Sequence, residues 1–461
     1  MRNKIITYGI FLCMILGAGC TKFVQVDTPP NLVLGQTVYS NDATAIAAIL
    51  SIYAQMASLN TNYYSIDMGY SSDEFNNFSA NASDIQFFTN GILTNNIYIG
   101  TYWNGAYGYI YRANAILDGL STSTGVSSKV KAQVIGEAKF MRAFYYYFLI
   151  NQFGDVPLIT GTDYSTNALL SRTPVADVLK QIVADLKDAE SLLNANYVGG
   201  DALTTTTEKL RPTKAAARFM LARTYLMQKD WVNAEAAATA VISAGVYSLV
   251  TDLTKMMQKN SSEAVWQLST NTAYNTYEGN KLIATGTPGW VTLSTSLLNA
   301  FEPNDKRRTN WVGSISVGSN TYYFPYKYRV QLSTTVSEYV MMLRYAELFL
   351  LRAEARAQQN NITQAIDDLN VIRNRAGLPV LSSNLTQTQI FAAIEQEHRV
   401  EMFSEWGDRW LYLKRIGRVD AVMSLYAPTK GGGAWNANYQ LYPIPQSEIN
   451  NNPNLKQNTG Y

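Results

Sequence analysis

The sequence predicts a mainly α-helical fold in which Ala-rich helical hairpins pack with a loop-rich, irregular part that contains a few short strands. Apolar residues recur at three- and four-residue spacing through most of the chain, and one Ala-rich hairpin pattern occurs twice. Between the two copies, residues 251–336 lose this period, and Gly, Ser, Thr, Asn and β-branched residues dominate. Because a long irregular insertion in a helical protein commonly carries function, we expect the ligand-binding part there.

The clearest hairpin runs from Glu338 to Gly377, with Asn360 and Asn361 at its turn and Gly377 as its expected C-terminal cap. Two apolar stripes define its helices: Leu343, Ala346, Leu350, Ala353 and Ala357, then Ile362, Ala365, Leu369 and Ile372. The same pattern lies between Ala215 and Gly245. Chance sharing of Ala is the alternative explanation. Hairpins of this kind resemble tetratricopeptide repeats, which stack and bury a shared core.

The N-terminus predicts export. A short basic start, an apolar run and small residues precede Cys20, which is the anatomy of a secretory signal. Cleavage after Gly19 would make Cys20 the first residue and the only cysteine, a placement that resembles a bacterial lipoprotein signal. We expect residues 1–19 to be the signal peptide, 20–40 a lipidated tether that alone reaches the membrane, and 41–461 one globular unit. Within that unit we distinguish a helical part (41–250), the insertion (251–336) and a repeat hairpin with an extended tail (337–461).

The composition of the chain limits the classes of function that we expect for it. A hydrophobic content of 47% with 16% charged residues is typical of a globular protein. Without Arg2 and Lys4 of the signal, 35 basic residues face 35 acidic ones. A neutral balance gives no long-range attraction for phosphate backbones, so we expect no nucleic-acid partner.

Catalytic groups are scarce. His398 is the only histidine, and Cys20 would be the only cysteine of the processed chain. Neither a Ser-His-Asp nor a Cys-His set is therefore expected, and zinc and iron lack their ligands. We expect no catalytic residue, no metal and no cofactor.

Two alternatives rest on acidic residues. Glycoside hydrolysis needs two carboxylates about 5 to 10 Å apart, and Asp73 with Asp84, or Glu278 with Asp305, would supply such a pair. Calcium takes oxygen ligands, although the regular loop spacing with its Gly is absent here. The calcium candidates are Asp73, Glu74, Asn76 and Asp84.

Aromatic residues point instead to binding. The chain has 31 Tyr, 16 Phe and 8 Trp, and a tyrosine combines an apolar face with a hydroxyl. Sugars stack their C–H faces on such rings, whereas their hydroxyls need polar partners. The candidates in the two loop regions are Tyr70, Phe75, Phe78, Tyr274, Tyr277, Trp290 and Trp311, with Asn76, Asn77 and Asn275 as polar partners. By contrast, we expect core packing for one face of a helix over 99–117, which carries Trp103, Tyr107, Tyr111 and Asn114.

Four segments resemble the SusD/RagB family. They are GEAKFMRAFYYYFLINQFGDVPLI from Gly136, RYAELFLLRAEAR from Arg344, RWLYLKRIGR from Arg409 and the terminal YPIPQSEINNNPNLKQNTGY. The terminal motif is highly specific. One departure is His398, which separates Glu397 from Arg399 where the family typically shows Glu-Arg.

The resemblance implies a non-catalytic lipoprotein on the surface of the outer membrane, built on a tetratricopeptide-like scaffold. Such proteins form a lid on a SusC-like TonB-dependent outer-membrane transporter and capture glycans for import. Capture of peptides and a purely structural lid are the alternatives, and a glycoside hydrolase is the less favoured one.

Overall fold

The computed structural model describes residues 38–58, 63–270 and 275–461. The predicted signal peptide, Cys20 with most of its tether, and the candidate Tyr274 lie outside the described residues. Among the helices within those ranges, none is long and apolar enough to cross a membrane.

The N-terminal part is helical. Its elements are α1 (Asp42–Ser58), α2 (Tyr63–Ser71), α3 (Ala82–Phe88), α4 (Ile97–Thr122), α5 (Ser128–Phe153), α6 (Tyr164–Asn167) and α7 (Val175–Leu192). Asn96 caps α4 by accepting a hydrogen bond from the Tyr98 amide, and α5 ends at Gly154, whose φ is +73°. The second half of α5 is buried all around because α4 and α7 pack on it. It forms the centre of the core.

The two predicted hairpins are confirmed. They are α8 (Lys214–Met227) with α9 (Trp231–Ile242), and α13 (Tyr345–Gln358) with α14 (Ile362–Ala376). Helices α7, α8, α9, α13 and α14 pack on one another in that order, as stacked repeats do. Gly377 caps α14 with φ +76°, a left-handed conformation that costs glycine little. The small residues Ala353 and Ala365 are fully buried.

The start of the second hairpin was predicted wrongly. Val340–Arg344 is not helix but strand β6, which pairs with β2 (Ala264–Leu268) in an antiparallel ladder. Leu343 therefore belongs to a strand. Both strands are buried along their whole length, so sheet pairing overrides the helical spacing that Leu343 shares with the helix beyond it.

The insertion contributes strands to two further antiparallel pairs and contains short helices. β1 (Phe75–Asn77) pairs with β3 (Val291–Leu293), and β4 (Val312–Val317) pairs with β5 (Asn320–Pro325). The sequence predicted the short strands but not the helices α10 (Tyr277–Leu282), α11 (Thr295–Leu298) and α12 (Lys306–Trp311). Elements of one to two turns carry too little periodicity to be recognised.

The C-terminal part comprises α15 (Gln387–Met402), α16 (Asp408–Arg415), α17 (Val419–Tyr426) and α18 (Gln446–Asn451). The expectation of a tail without helix fails at α18, because Pro445 lies at its N-cap, where a proline is compatible with a helix start. The tail returns to the N-terminal part, since the Tyr442 amide donates to the Gln152 carbonyl over 2.7 Å.

A buried ionic cluster joins the insertion to the repeats. Arg344 contacts Glu401 over 2.6 Å and Glu405 over 2.9 Å, and Arg307 contacts Glu397 over 2.8 Å. The Arg375 guanidinium contacts both Glu401 and Glu263. Charges this deep are tolerated because each one is paired and hydrogen-bonded.

Candidate functional site

The β1–β3 pair brings two distant segments together at the surface of the loop-rich part. Asn77 lies opposite Val291 in the ladder, and the Phe78 amide extends it by donating to the Trp290 carbonyl over 2.7 Å. The Tyr70 hydroxyl donates to the same carbonyl, also over 2.7 Å. The backbone of Trp290 is therefore held by two donors.

Trp290 is half-buried, and a lysine lies over its ring. The Lys281 Nζ lies 4.1 Å from the centroid of the Trp290 ring and 5.4 Å from that of Tyr277. Phe78 is 38% exposed and meets Tyr322 of β5 edge to face, with 5.5 Å between ring centroids. We call Phe78, Tyr277, Lys281, Trp290 and Tyr322 the Trp290 face.

A cavity of about 360 Å³ opens beside this face. Its wall is the turn from Asn280 to Val291, together with Gln331. The Gln331 amide donates to the Ile283 carbonyl over 3.2 Å and so fixes one side of the turn. The arrangement offers an aromatic surface, a cation and backbone groups around a concave opening, and these features are typical of a small-molecule binding site.

The cation of the face is balanced by one carboxylate. Burial lowers the pKa of Lys281, whereas Asp84 opposes that change. The Asp84 carboxylate accepts a hydrogen bond from the Ser79 hydroxyl, and burial raises its pKa. Lys281 is thus the basic group of the Trp290 face.

Three of the predicted rings belong to the core instead. Tyr70, Phe75 and Trp311 are fully buried, and their rings therefore have no surface to offer a ligand. The Trp311 indole donates to the Leu253 carbonyl over 3.0 Å, and the Lys327 ammonium lies 4.8 Å from its ring centroid. The sequence placed these rings wrongly because irregular segments also need large apolar side chains to bury.

The predicted amides hold the backbone in place. Asn275 is fully buried, and its Oδ1 accepts hydrogen bonds from the Ser337 and Glu338 amides over 2.5 and 2.9 Å. Asn76 donates to the Leu293 carbonyl over 3.2 Å, and Asn77 donates to the Ser79 carbonyl over 3.0 Å. The amides of these three side chains therefore bind backbone groups of the loops.

Of the predicted residues, the structure brings Phe78, Tyr277 and Trp290 together with exposed surface. Sequence reasoning missed Lys281 and Tyr322 as members of the face. Tyr322 lies in the aromatic run of Tyr322, Tyr323 and Phe324 in β5, and this run was the available signal. No pattern singles out Lys281, because its position above Trp290 depends on the turn of α10.

The acidic alternatives find little support in the geometry. Asp73 is paired with Arg399 over 2.6 Å and with Arg409 over 2.8 Å. Although burial opposes it, these arginines hold the pKa of Asp73 below its usual value, which does not suit a general acid. Asp305 is buried and paired with Arg307 over 2.8 Å. In the described ranges no group of three or more His, Cys, Asp or Glu side chains is arranged to hold a metal ion.

His398 has a structural environment. It is buried, its Nδ1 lies 2.9 Å from the Asp408 carboxylate, and its ring stacks on Tyr412 with 4.2 Å between centroids. His398, the residue that departs from the Glu-Arg pattern, therefore packs between α15 and α16.

Family comparisons identify the class of protein. Residues 27–226 match the family model SusD-like_3, described as "Starch-binding associating with outer membrane", and residues 306–461 match the model of the SusD family. The chain belongs to the SusD/RagB family.

Individual relatives agree with this class. SusD-like protein P2 of Formosa agariphila is 25% identical over an alignment that covers 100% of both chains. The starch-binding protein SusD of Bacteroides thetaiotaomicron is 36% identical over 26% of this chain and 21% of its own. Among solved structures, surface glycan-binding protein A from Bacteroides uniformis superposes with a TM-score of 0.76 at 22% identity, covering 90% of this chain and 99% of the other. At that identity the match shows the fold.

Proposed function

We propose that this chain binds an oligo- or polysaccharide on the Trp290 face and passes it, unbroken, to a TonB-dependent outer-membrane transporter. The observation that carries the proposal is the group of partly exposed rings of Phe78, Tyr277, Trp290 and Tyr322 beside a concave opening. Rings stack on the apolar C–H face of a sugar, and Lys281 donates to its hydroxyls. The names of the glycan- and starch-binding relatives support the same class of ligand.

The non-catalytic part of the proposal is supported by the state of the acids. Asp73 and Asp305 are each held by arginine, so the paired-carboxylate hydrolase has no free pair among its candidates. Incubation of the purified chain with the polysaccharide that it binds should release no reducing sugar. Release that is lost in Asp73→Asn or Glu278→Gln would favour hydrolysis instead.

The location is also a proposal. The family model's description refers to the outer membrane, and the sequence before Cys20 has the form of a lipoprotein signal. We infer that Cys20 carries the lipid, that residues 41–461 lie outside the cell and that a SusC-like transporter is the partner. Labelling with a palmitate analogue should mark the wild-type chain and not Cys20→Ala, and the transporter should co-purify with the chain.

Affinity electrophoresis tests the binding claim. A soluble chain that starts at Thr21 is run through gels that contain plant, host or microbial polysaccharides. We expect retardation by at least one class, and at least about tenfold weaker binding for Trp290→Ala, as is typical for loss of a central aromatic residue. Trp231→Ala is the matched control, because Trp231 is also half-buried but lies on α9.

Free migration through every gel would count against a glycan ligand. In that case peptide capture or a purely structural lid would remain, and pull-down of the transporter would separate the second from the first. Equal retardation of wild type and Trp290→Ala would show that the glycan binds elsewhere.

A further inference from the structure

A second ring-lined groove lies on the helical part, between α4, α6 and α18. Its cavity measures about 400 Å³. None of its lining residues belongs to the Trp290 face. We call it the helix groove and define it by Trp103, Asn104, Tyr107, Tyr111, Tyr164 and Asn451.

The floor of the helix groove is a ladder of rings. Trp103, Tyr107 and Tyr111 follow at four-residue spacing on α4, which places each about 6 Å further along the helix. The sequence predicted that all three would pack in the core. Trp103 is buried and Tyr107 half-buried, but Tyr111 is 53% exposed, which corrects that prediction. The ladder therefore rises from the core to the solvent.

The opposite wall presents a second exposed ring. Tyr164 begins α6 and is 83% exposed. The turn before it is fixed, because the Asp163 carboxylate accepts hydrogen bonds from the hydroxyls of Ser165 and Thr166, each over 2.8 Å. Exposed tyrosines from α4 and α6 thus line the mouth of the groove.

The walls are tied to each other. The Tyr107 hydroxyl donates to the Pro157 carbonyl over 2.8 Å, and Asn167 donates to the Gly161 carbonyl over 3.0 Å. From the tail, Asn452 donates to the Leu170 carbonyl over 2.8 Å. A groove that is formed before binding spares a ligand the cost of ordering loops.

The polar groups of the groove select for a neutral ligand. Asn104 and Asn451 expose their amides, and Glu448 contributes a half-buried carboxylate. Among the described residues that line the groove, none is Lys or Arg. Glu448 is the one charged side chain among the described lining residues, so a sulfated or uronic-acid glycan would meet a like charge there. The hydroxyls of a neutral sugar match both amides and the carboxylate.

We propose that the helix groove is a second carbohydrate site, for a neutral oligosaccharide, separate from the Trp290 face. The inference rests on the proposed function, because it takes the ligand to be a glycan. A long polysaccharide that reaches both sites is held more tightly than a short one, since the second contact becomes intramolecular.

Calorimetry on the chain that starts at Thr21 tests this inference. The variants are Trp290→Ala, the double variant Tyr111→Ala with Tyr164→Ala, and all three changes together, with Leu425→Ala as the control for an exposed apolar side chain that lies elsewhere. The probes are the neutral hexasaccharides of the malto, laminari, cello and xylo series. Each is titrated beside its parent polymer.

We expect Trp290→Ala to keep a binding event for at least one probe, and the two tyrosine changes to weaken that event at least about tenfold. In the wild-type background the tyrosine changes should also reduce the preference for polymer over hexasaccharide. If the tyrosine changes abolish binding and Trp290→Ala leaves it unaltered, the helix groove is the sugar site and the proposal for the Trp290 face is wrong.

The opposite results overturn the inference. If Trp290→Ala loses all binding, or if the tyrosine changes leave its binding unaltered, the groove is not a sugar site although the proposed function stands. If no probe binds the wild-type chain, the inference of a neutral-sugar site in the helix groove fails, whereas the proposed function is decided by the gels with the wider set of polysaccharides. If the tyrosine changes spare sugar binding but prevent co-purification of the transporter, the groove contacts protein instead.

Discussion

Trp290 shows how one carbonyl fixes the position of a partly exposed ring. Its oxygen accepts hydrogen bonds from the Tyr70 hydroxyl and the Phe78 amide, so the ring emerges from a fixed backbone beside Lys281. Tyr70 was predicted to contact the ligand, but it acts on the site from the core. A fixed ring loses little conformational freedom when a sugar stacks on it.

Glu74 is a buried acid whose titration should be visible in the stability of the fold. Burial, and then the neighbouring Asp73, raise its pKa to about 8, and its Oε1 has no hydrogen-bond partner in the described structure. Because the pKa in the folded state lies above that of the unfolded chain, the stabilising contribution is complete at low pH. It is lost as the pH rises to about 8.

We therefore expect Glu74→Gln to flatten the pH dependence of unfolding. Between pH ~5 and ~8, the free energy of unfolding of the wild-type chain should fall more than that of the variant, by on the order of 3 kcal/mol. Urea unfolding at both pH values measures this difference. Parallel pH curves for the two chains would show that Glu74 does not titrate in this range.

At the level of single residues, the sequence indicated which kinds of side chain are candidates for binding but not which copies face solvent. Phe78 and Phe75 lie three residues apart with the same chemistry, yet one is 38% exposed and the other fully buried. The difference comes from the β1–β3 pairing, which connects segments more than 200 residues apart in the sequence. Local spacing carries no information about such a contact.

Among the elements, long helices were predictable and short ones were not. The hairpins of α8 with α9 and of α13 with α14 follow from apolar spacing over whole helices. Strand β6 was mistaken for helix because it leads directly into α13, and its partner β2 is distant in sequence. The same limit hid α10, and with it the position of Lys281.

Strand β6 ends at Arg344, whose guanidinium forms an ion pair with Glu401 of α15. Burial opposes a charge on Glu401, yet Arg375, Arg344 and Arg307 together hold the pKa of Glu401 well below its usual range. The carboxylate therefore stays ionised, and it needs all three cations. Removal of one guanidinium leaves buried negative charge without a partner.

We expect Arg344→Met to lower the free energy of unfolding by about 3 to 5 kcal/mol. Arg218→Met is the control, because Arg218 pairs with Glu190 over 2.7 Å while both side chains are about one-third exposed. Its loss should cost less than about 1 kcal/mol. Urea unfolding compares the two, and equal effects would mean that the cluster contributes no more than a surface pair.

At the scale of the molecule, one contiguous apolar core contains residues from Ala45 to Leu455. Trp311 is a member of this core and ties the insertion to it. The ionic cluster connects the same parts. We propose that residues 41–461 unfold as one unit. Urea transitions followed by tryptophan fluorescence and by circular dichroism should coincide. If the insertion unfolds in a separate, earlier transition, residues 41–461 do not form one cooperative unit.

The central claim is that a glycan stacks on the Trp290 face. The most direct measurement is a crystal structure of the chain that starts at Thr21 with an oligosaccharide of the class that retards it in gels. The account predicts a sugar ring against the Trp290 indole, with a hydroxyl within hydrogen-bond distance of the Lys281 Nζ. A ligand that occupies other surfaces and leaves Trp290 uncovered would contradict it.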